Sequence, residues 1–451
     1  MTLPGIALFY SGAVKVRHVL STFVECIAIA STITVVWMLF GYSLALAPVN
    51  ESDNYDRPSV FGDASRFWFD GLRIDTSHQL APNIPESVFC MFKLSNAIIS
   101  CALIVGGFAC RAKILQLLIF MSLWLLLIYC PLSHSHSHPD GFLAKIDVLD
   151  FAGGNVVHIS AGVSAFLASF YIGPRIDTEE RFESRNMLLS VWGACFVWVG
   201  WFGFNMGSGY SSGIDSGQTV IITMVGATGA AASWTATEWI ITGRPSILGM
   251  LSGSIAGLVS ISAGVGYIDP TGAIVISAVA GVACYFGTEN REDSYFRFED
   301  PLGTFALNCI GGLVGGFLLG FFANDRGVFD HPNGAFYGNV EQIYVQLFGI
   351  LFTTGWTAVV TSLIYLFVDK CLGGFRVPKE HEMIGLDIAR HNITIVAMPK
   401  KKIEELIRQA DAAVEGVDRN ADMDLDAMNH GDPDDSLDSP RPMRSRSILI
   451  S

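Results

Sequence analysis

The sequence predicts an all-α integral membrane protein of about eleven crossing helices, arranged as two inverted five-helix repeats. Three observations predict it. The 451-residue chain is 51% hydrophobic and only 16% charged, where a soluble domain carries ~25% charged residues, and its mean hydropathy is +0.44. Apolar runs of a length that crosses a bilayer follow one another along the chain. Finally, one pattern in the chain occurs twice, 150 residues apart.

The first run, Met1 to Gly12, covers about 18 Å of a ~30 Å hydrocarbon core. The first helix is therefore expected to be incomplete, with the chain starting at an internal methionine. The runs that follow lie near 20–47, 87–110, 112–133, 151–173, 187–209, 217–242, 246–266, 271–288, 301–323 and 341–369. They are expected to be helices, because open strands cannot satisfy their backbone in lipid. The 46 glycines suit this, since small residues let membrane helices approach closely. A net charge of −14 excludes the basic face that nucleic-acid binding needs. Nine cysteines form no C-x-x-C pair and read as small apolar fillers rather than a zinc site or disulfide framework.

Lys15, Arg17, Arg111, Lys113, Arg175, Arg181, Arg185, Arg244, Arg291 and Arg297 fall in alternate connections. The positive-inside rule makes that set cytoplasmic, the N-terminus external and the C-terminal tail internal. Three regions are expected: a membrane domain over 1–371, a cytosolic coupling segment over 372–398, and a polar tail over 399–451. Ile403 to Arg408 reads as a short amphipathic helix, and the last thirty residues, rich in Asp, Ser and Pro, read as disordered. Arg444-Ser445-Arg446-Ser447 fits a basophilic kinase site, making a cytosolic regulator or kinase an expected partner of the tail.

The repeat reads D-x-x-G-x-x-x-x-(H/N)-x-x-x-G, on Asp150, Gly153, His158 and Gly162, then on Asp300, Gly303, Asn308 and Gly312. Five segments separate the copies, so the two helices enter from opposite sides. Inverted repeats of this kind place a transport site near the midplane. His158 and Asn308 become equivalent positions, about two turns into the membrane. Polar groups there line a cavity or meet a partner.

Six stretches carry a family likeness: Pro4 to Gly12 (PGIALFYSG), Trp37 to Leu44 (WMLFGYSL), Asp150 to His158 (DFAGGNVVH), Gly200 to Ser208 (GWFGFNMGS), Gly249 to Val259 (GMLSGSIAGLV) and Arg376 to Asp387 (RVPKEHEMIGLD). In this order, and from the first residue to about 390, the chain resembles ammonium transporters of the Amt/Mep type. The resemblance implies a homotrimer in the plasma membrane with one narrow pore per protomer, no cofactor, and ammonium or ammonia as substrate. It implies a vestibule that attracts NH4+ through aromatic faces and a serine hydroxyl, a physically sound arrangement. Asp150, Phe92, Trp201, Phe204 and Ser208 stand at matching substrate-site positions, and His158 at a pore histidine.

Other positions depart from the family. The second pore histidine is Asn308, the outer-gate phenylalanine falls on Asn96, and the vestibule tryptophan on Ser137. Asparagine cannot titrate near neutral pH as imidazole does, so a poorer or differently selective conductor is expected. Lys93 and Glu25 stand where the family tends to have glutamines. They are expected either to pair between neighbouring helices or to snorkel near helix ends. His134, His136 and His138 are expected in a solvated outer loop; their protonation would repel NH4+, and metal binding is the lesser reading. Transport is the leading function. The alternative is a poorly conducting or non-conducting ammonium sensor of the same fold. No nucleophile–base pair, phosphate loop or cofactor motif supports an enzyme.

Overall fold

A computed structural model describes residues 1–47, 59–73, 75–176, 186–210, 214–289, 299–300, 302–324, 332–391 and 408. The expectations for Ile403 to Arg408, the disordered end and the Arg444–Ser447 site lie outside these residues, Arg408 apart. Met1–Met398 form one compact unit. Its helices are α1 (Thr2–Ala13), α2 (Val16–Leu46), α3 (Glu86–Phe108), α4 (Ile114–Ser137), α5 (Gly154–Ile172), α6 (Met187–Gly207), α7 (Ile214–Thr242), α8 (Ile247–Ser262), α9 (Pro270–Glu289), α10 (Phe305–Phe322) and α11 (Glu341–Cys371). Among the described residues, nine helices are long and apolar enough to cross a membrane. The apolar helices α1 and α8 are shorter, at 12 and 16 residues.

The helices carry their apolar side chains on the outside. Val35, Leu115, Trp239, Ile240, Leu351 and Leu363 are all exposed, which on a soluble protein would be an aggregation hazard. Hydroxyls on these surfaces turn back on their own helix. Thr32 donates to the Ala28 carbonyl and Thr34 to that of Ala30, so these hydroxyls are not offered to lipid unsatisfied.

The inverted repeat is visible atom by atom. Asp150 accepts the Asn155 and Val156 amides, each at 3.1 Å. Asp300 accepts the amides of Thr304 at 2.9 Å and Phe305 at 2.8 Å, four and five residues on rather than five and six. Both carboxylates satisfy orphan donors at the start of a helix. Gly153 (φ 92°) and Gly303 (φ 69°) make the two turns that lead in, and a left-handed backbone favours glycine. Each helix then begins with a π-turn, Gly154–Ile159 and Phe305–Ile310.

The second glycine of each copy sets how closely α5 and α10 cross. A Cβ on Gly162 would lie 2.4 Å from the Cys309 amide nitrogen, and one on Gly312 would lie 2.8 Å from the Ile159 side chain. Residues 159 and 309 are themselves equivalent, so the contact is reciprocal. His158 and Asn308 are brought face to face by this crossing.

At the Asp300 end, the chain beyond α11 folds back onto the bundle. Two short helices, α12 (Lys379–Ile384) and α13 (Leu386–His391), are held by reciprocal capping. Asp387 accepts the Leu20 and Ser21 amides at 3.0 and 2.7 Å, and Leu386 donates to His18. Arg376 binds Glu382 and the carbonyls of Ile172 and Pro174. Fully buried Arg111 donates to the carbonyls of Gly173, Gly107 and Glu299. Arg175 clamps Glu299. Although burial raises the Glu299 carboxyl, Arg175 outweighs it and holds the group below the usual carboxylate range.

Candidate functional site

Two polar centres lie along the crossing of α5 and α10. The first is at the Asp150 end, where a cavity of about 20 Å³ is lined by Lys93, Asn96, Ser137, Asp150 and Ser208 among others. That space holds about one water-sized molecule. Its walls present acceptor oxygens. Asp150 Oδ1 and Asn96 Oδ1 are buried without a hydrogen-bond partner. Ser208 Oγ gives its proton to the Phe204 carbonyl at 3.0 Å, which leaves its lone pairs free to accept.

The second centre is the His158–Asn308 pair. The Asn308 amide nitrogen donates to the Thr304 carbonyl at 3.1 Å, so its oxygen faces His158 and accepts from Nδ1 at 3.0 Å. That bond fixes the neutral tautomer. Nε2 is then a bare acceptor, buried and unpartnered. The ring stacks on Trp201, centroids 5.2 Å apart and planes 13° apart, with Phe204 at 6.2 Å. Trp201 is itself oriented by donating to Ser262 Oγ at 3.2 Å.

Beyond the pair, towards the Asp300 end, a cavity of about 280 Å³ is lined by Leu302, Gly303, Leu307 and Glu238 among others. The order is therefore an acceptor-lined chamber, an apolar and aromatic stretch around a polar pair, and a wider chamber. A small N–H donor finds acceptors at each narrow point and little room for a hydration shell.

Of the residues singled out from sequence, Asp150, Asn96, Ser137 and Ser208 share the first chamber. His158, Asn308, Trp201 and Phe204 share the second centre. Phe92 does not line the first chamber: it lines a separate cleft with Met1, Thr2, Gly203 and Phe204. Sequence reasoning missed Tyr210, whose ring stands edge-on to Phe89 at 5.0 Å and to Phe92 at 6.1 Å. No motif pointed to it, because a loop tyrosine two residues past Ser208 has no helical register to argue from.

Three expectations need correction. Lys93 and Glu25 do not pair, since they lie near opposite ends of the bundle. Glu25 binds Arg390 at 2.8 Å, and the Lys93 Nζ sits over the rings of Tyr210 and Phe89 at 5.4 and 5.9 Å. Each charge found a partner inside the protein, as a charge removed from water must. Nor do they snorkel outward, both residues being buried. His134, His136 and His138 are not a solvated loop. They are buried at the end of α4, where His134 and His138 stack at 4.3 Å. Their nitrogens bind backbone carbonyls, Ser59 and Asn155. Burial lowers His138 below the ordinary histidine range, which works against the protonation expected there. Among the described residues, no group of His, Cys, Asp and Glu is placed to hold a metal ion.

Known proteins resemble this chain in sequence and fold. The model of the Ammonium Transporter Family matches residues 1–395. An ammonium transporter of Bacillus subtilis (strain 168) is 36% identical over 388 residues, covering 86% of this chain and 93% of its own length. The crystal structure of Candida albicans Mep2 superposes with a TM-score of 0.77 at 28% identity, over 86% of each chain. A structure described as a sensor Amt protein gives a TM-score of 0.76 at 23% identity, over 86% of this chain and 94% of its own. That last likeness speaks to the fold alone.

Proposed function

The chain belongs to the ammonium transporter family, and on that premise we propose that it conducts ammonium nitrogen across a membrane through a pore within each protomer. One observation carries the reading. The bare Nε2 of His158, held by the His158–Asn308 bond, lies between an acceptor-lined chamber at Asp150 and a wider chamber at Leu307. A desolvated N–H donor passing inward meets Asp150, Asn96 and Ser208, then Nε2. Asp150, Phe92, Trp201, Phe204 and Ser208 serve the substrate, with Phe92 acting at the rim rather than in the chamber. His158 and Asn308 are the pore pair.

The setting follows from the same premise. The protein works as a homotrimer in the plasma membrane, with the Asp150 end external and the Asp300 end, including α12 and α13, cytoplasmic. Residues 1–371 form the transport domain, 372–398 the coupling segment and 399–451 a tail open to a regulator or kinase.

A second reading, a sensor that binds ammonium and conducts little, is favoured by Asn308. An amide beside His158 carries no titrating proton, so a relay that uses two imidazoles is cut in half. Methylammonium uptake by yeast lacking its own ammonium transporters separates the readings. Uptake by the full chain that Asp150→Ala abolishes establishes transport. Absence of uptake from correctly localised protein favours the sensor or a decayed copy, and its restoration by Asn308→His places the defect in the relay.

A further inference from the structure

Lys93 lines the first chamber and sets its ammonium group over two rings beside it. Its stem is buried in α3, the residue being 6% exposed, and its Nζ lies 5.4 Å from the Tyr210 ring centroid and 5.9 Å from that of Phe89. A helical side chain leans towards the helix N-terminus, here the mouth at the Asp150 end. The faces of two rings beside the chamber therefore already hold a cation. The adjoining space, about 20 Å³, admits one further small molecule.

We propose that Lys93 is a tethered cation that takes the place of a free ammonium ion at the aromatic entrance, and so determines that the uncharged base enters while free cations are repelled. The inference rests on the transport reading and names the form of substrate that the entrance accepts. Two features of the walls support it. The groups beside Lys93 include three sets of acceptors: Asp150 Oδ1, Asn96 Oδ1 and the lone pairs of Ser208. They suit an N–H donor, charged or neutral. An anion attracted by Lys93 would meet those same oxygens and is disfavoured. Asp150 and Lys93 line the same chamber, so the carboxylate that would draw in a free cation already has a tethered one nearby. A second cation there faces Coulomb repulsion at short range in a poorly screened site and finds the rings taken.

Binding tests this without depending on transport. The purified full-length chain in detergent is titrated with methylammonium chloride by calorimetry, alongside Lys93→Gln, Lys93→Met and Lys93→Arg. Loss of the tethered charge is expected to tighten methylammonium binding by about tenfold or more, the factor that ~1.4 kcal/mol gives, whereas Lys93→Arg binds as the parent does. The two neutral variants keep the measurement meaningful if one of them folds poorly. Equal affinity in the parent and both neutral variants, or no binding in any of them, overturns the proposal. Tighter binding in the neutral variants, together with no uptake in yeast by any variant, upholds the exclusion of cations by Lys93 and refutes transport instead.

Discussion

At the scale of single residues, chemistry here is decided by which atoms are left without partners. In a membrane core an unbonded acceptor is costly, yet Asp150 Oδ1, Asn96 Oδ1 and His158 Nε2 are buried and unpartnered in one sequence of chambers. The sequence made His158, Asn308, Asp150 and Ser208 legible, because the repeat and the matched motifs fixed their register. It did not make the surroundings of Lys93 legible. Lys93 and Asn96 are three residues apart on α3 and share a chamber, whereas Phe92, one residue away from Lys93, turns to another cleft. A rotation of 100° per residue separates them, and only packing against α5 and α6 decides which face looks inward. Asn308→His tests the pair: a second imidazole at that position is expected to raise uptake severalfold, roughly the tenfold that 1.36 kcal/mol off a barrier gives. An unchanged rate would mean that titration at 308 plays no part.

At the scale of elements, the crossing of α5 and α10 sets the geometry of the pore pair. Asp150 with Gly153, and Asp300 with Gly303, start the two helices in the same way, and Gly162 and Gly312 let each backbone pass the other. This was legible as a pattern of four positions, although the π-turns at both starts were not. Their cause is local hydrogen bonding that no apolar periodicity records. Gly162→Ala would drive a Cβ to 2.4 Å from the Cys309 amide nitrogen. It is expected to cost ~1–3 kcal/mol of stability and to lower the detergent melting temperature, with Gly312→Ala acting in the same direction. A melting temperature unchanged in both would show that the crossing is not tightly set.

The segment after α11 belongs to the element scale as well. Its contacts join residues more than three hundred and sixty positions apart, as between Arg390 and Glu25 or Asp387 and Ser21, a pairing that composition and hydropathy do not encode. This is why Glu25 looked in the sequence like a charge in search of a partner in α3. Removing Arg390 leaves a buried carboxylate alone, so Arg390→Ala is expected to destabilise by about 3 kcal/mol. The double variant with Glu25→Gln should recover most of that loss, because it removes the stranded charge as well. If the two substitutions simply add in a thermal-melt cycle, the pair is not coupled.

At the scale of the whole molecule, the described residues present apolar side chains outward and a line of polar groups inward, the inverse of a soluble fold. That inversion, the helices and the inverted symmetry were all legible, because each follows from composition and repeated pattern. The hairpin of Ser77–His78 with Ala81–Pro85, the buried histidine cluster and the docked end were not, since they rest on contacts between distant loops. The account's central claim is that ammonia passes the His158–Asn308 pair. Its most direct measurement is the lumenal pH rise that follows an ammonium jump in liposomes containing the purified chain. The parent is expected to alkalinise the lumen faster than protein-free vesicles. His158→Leu, of similar bulk but without the acceptor, should slow the protein-dependent part by about tenfold. A parent no faster than empty vesicles, or a His158→Leu variant as fast as the parent, would contradict it.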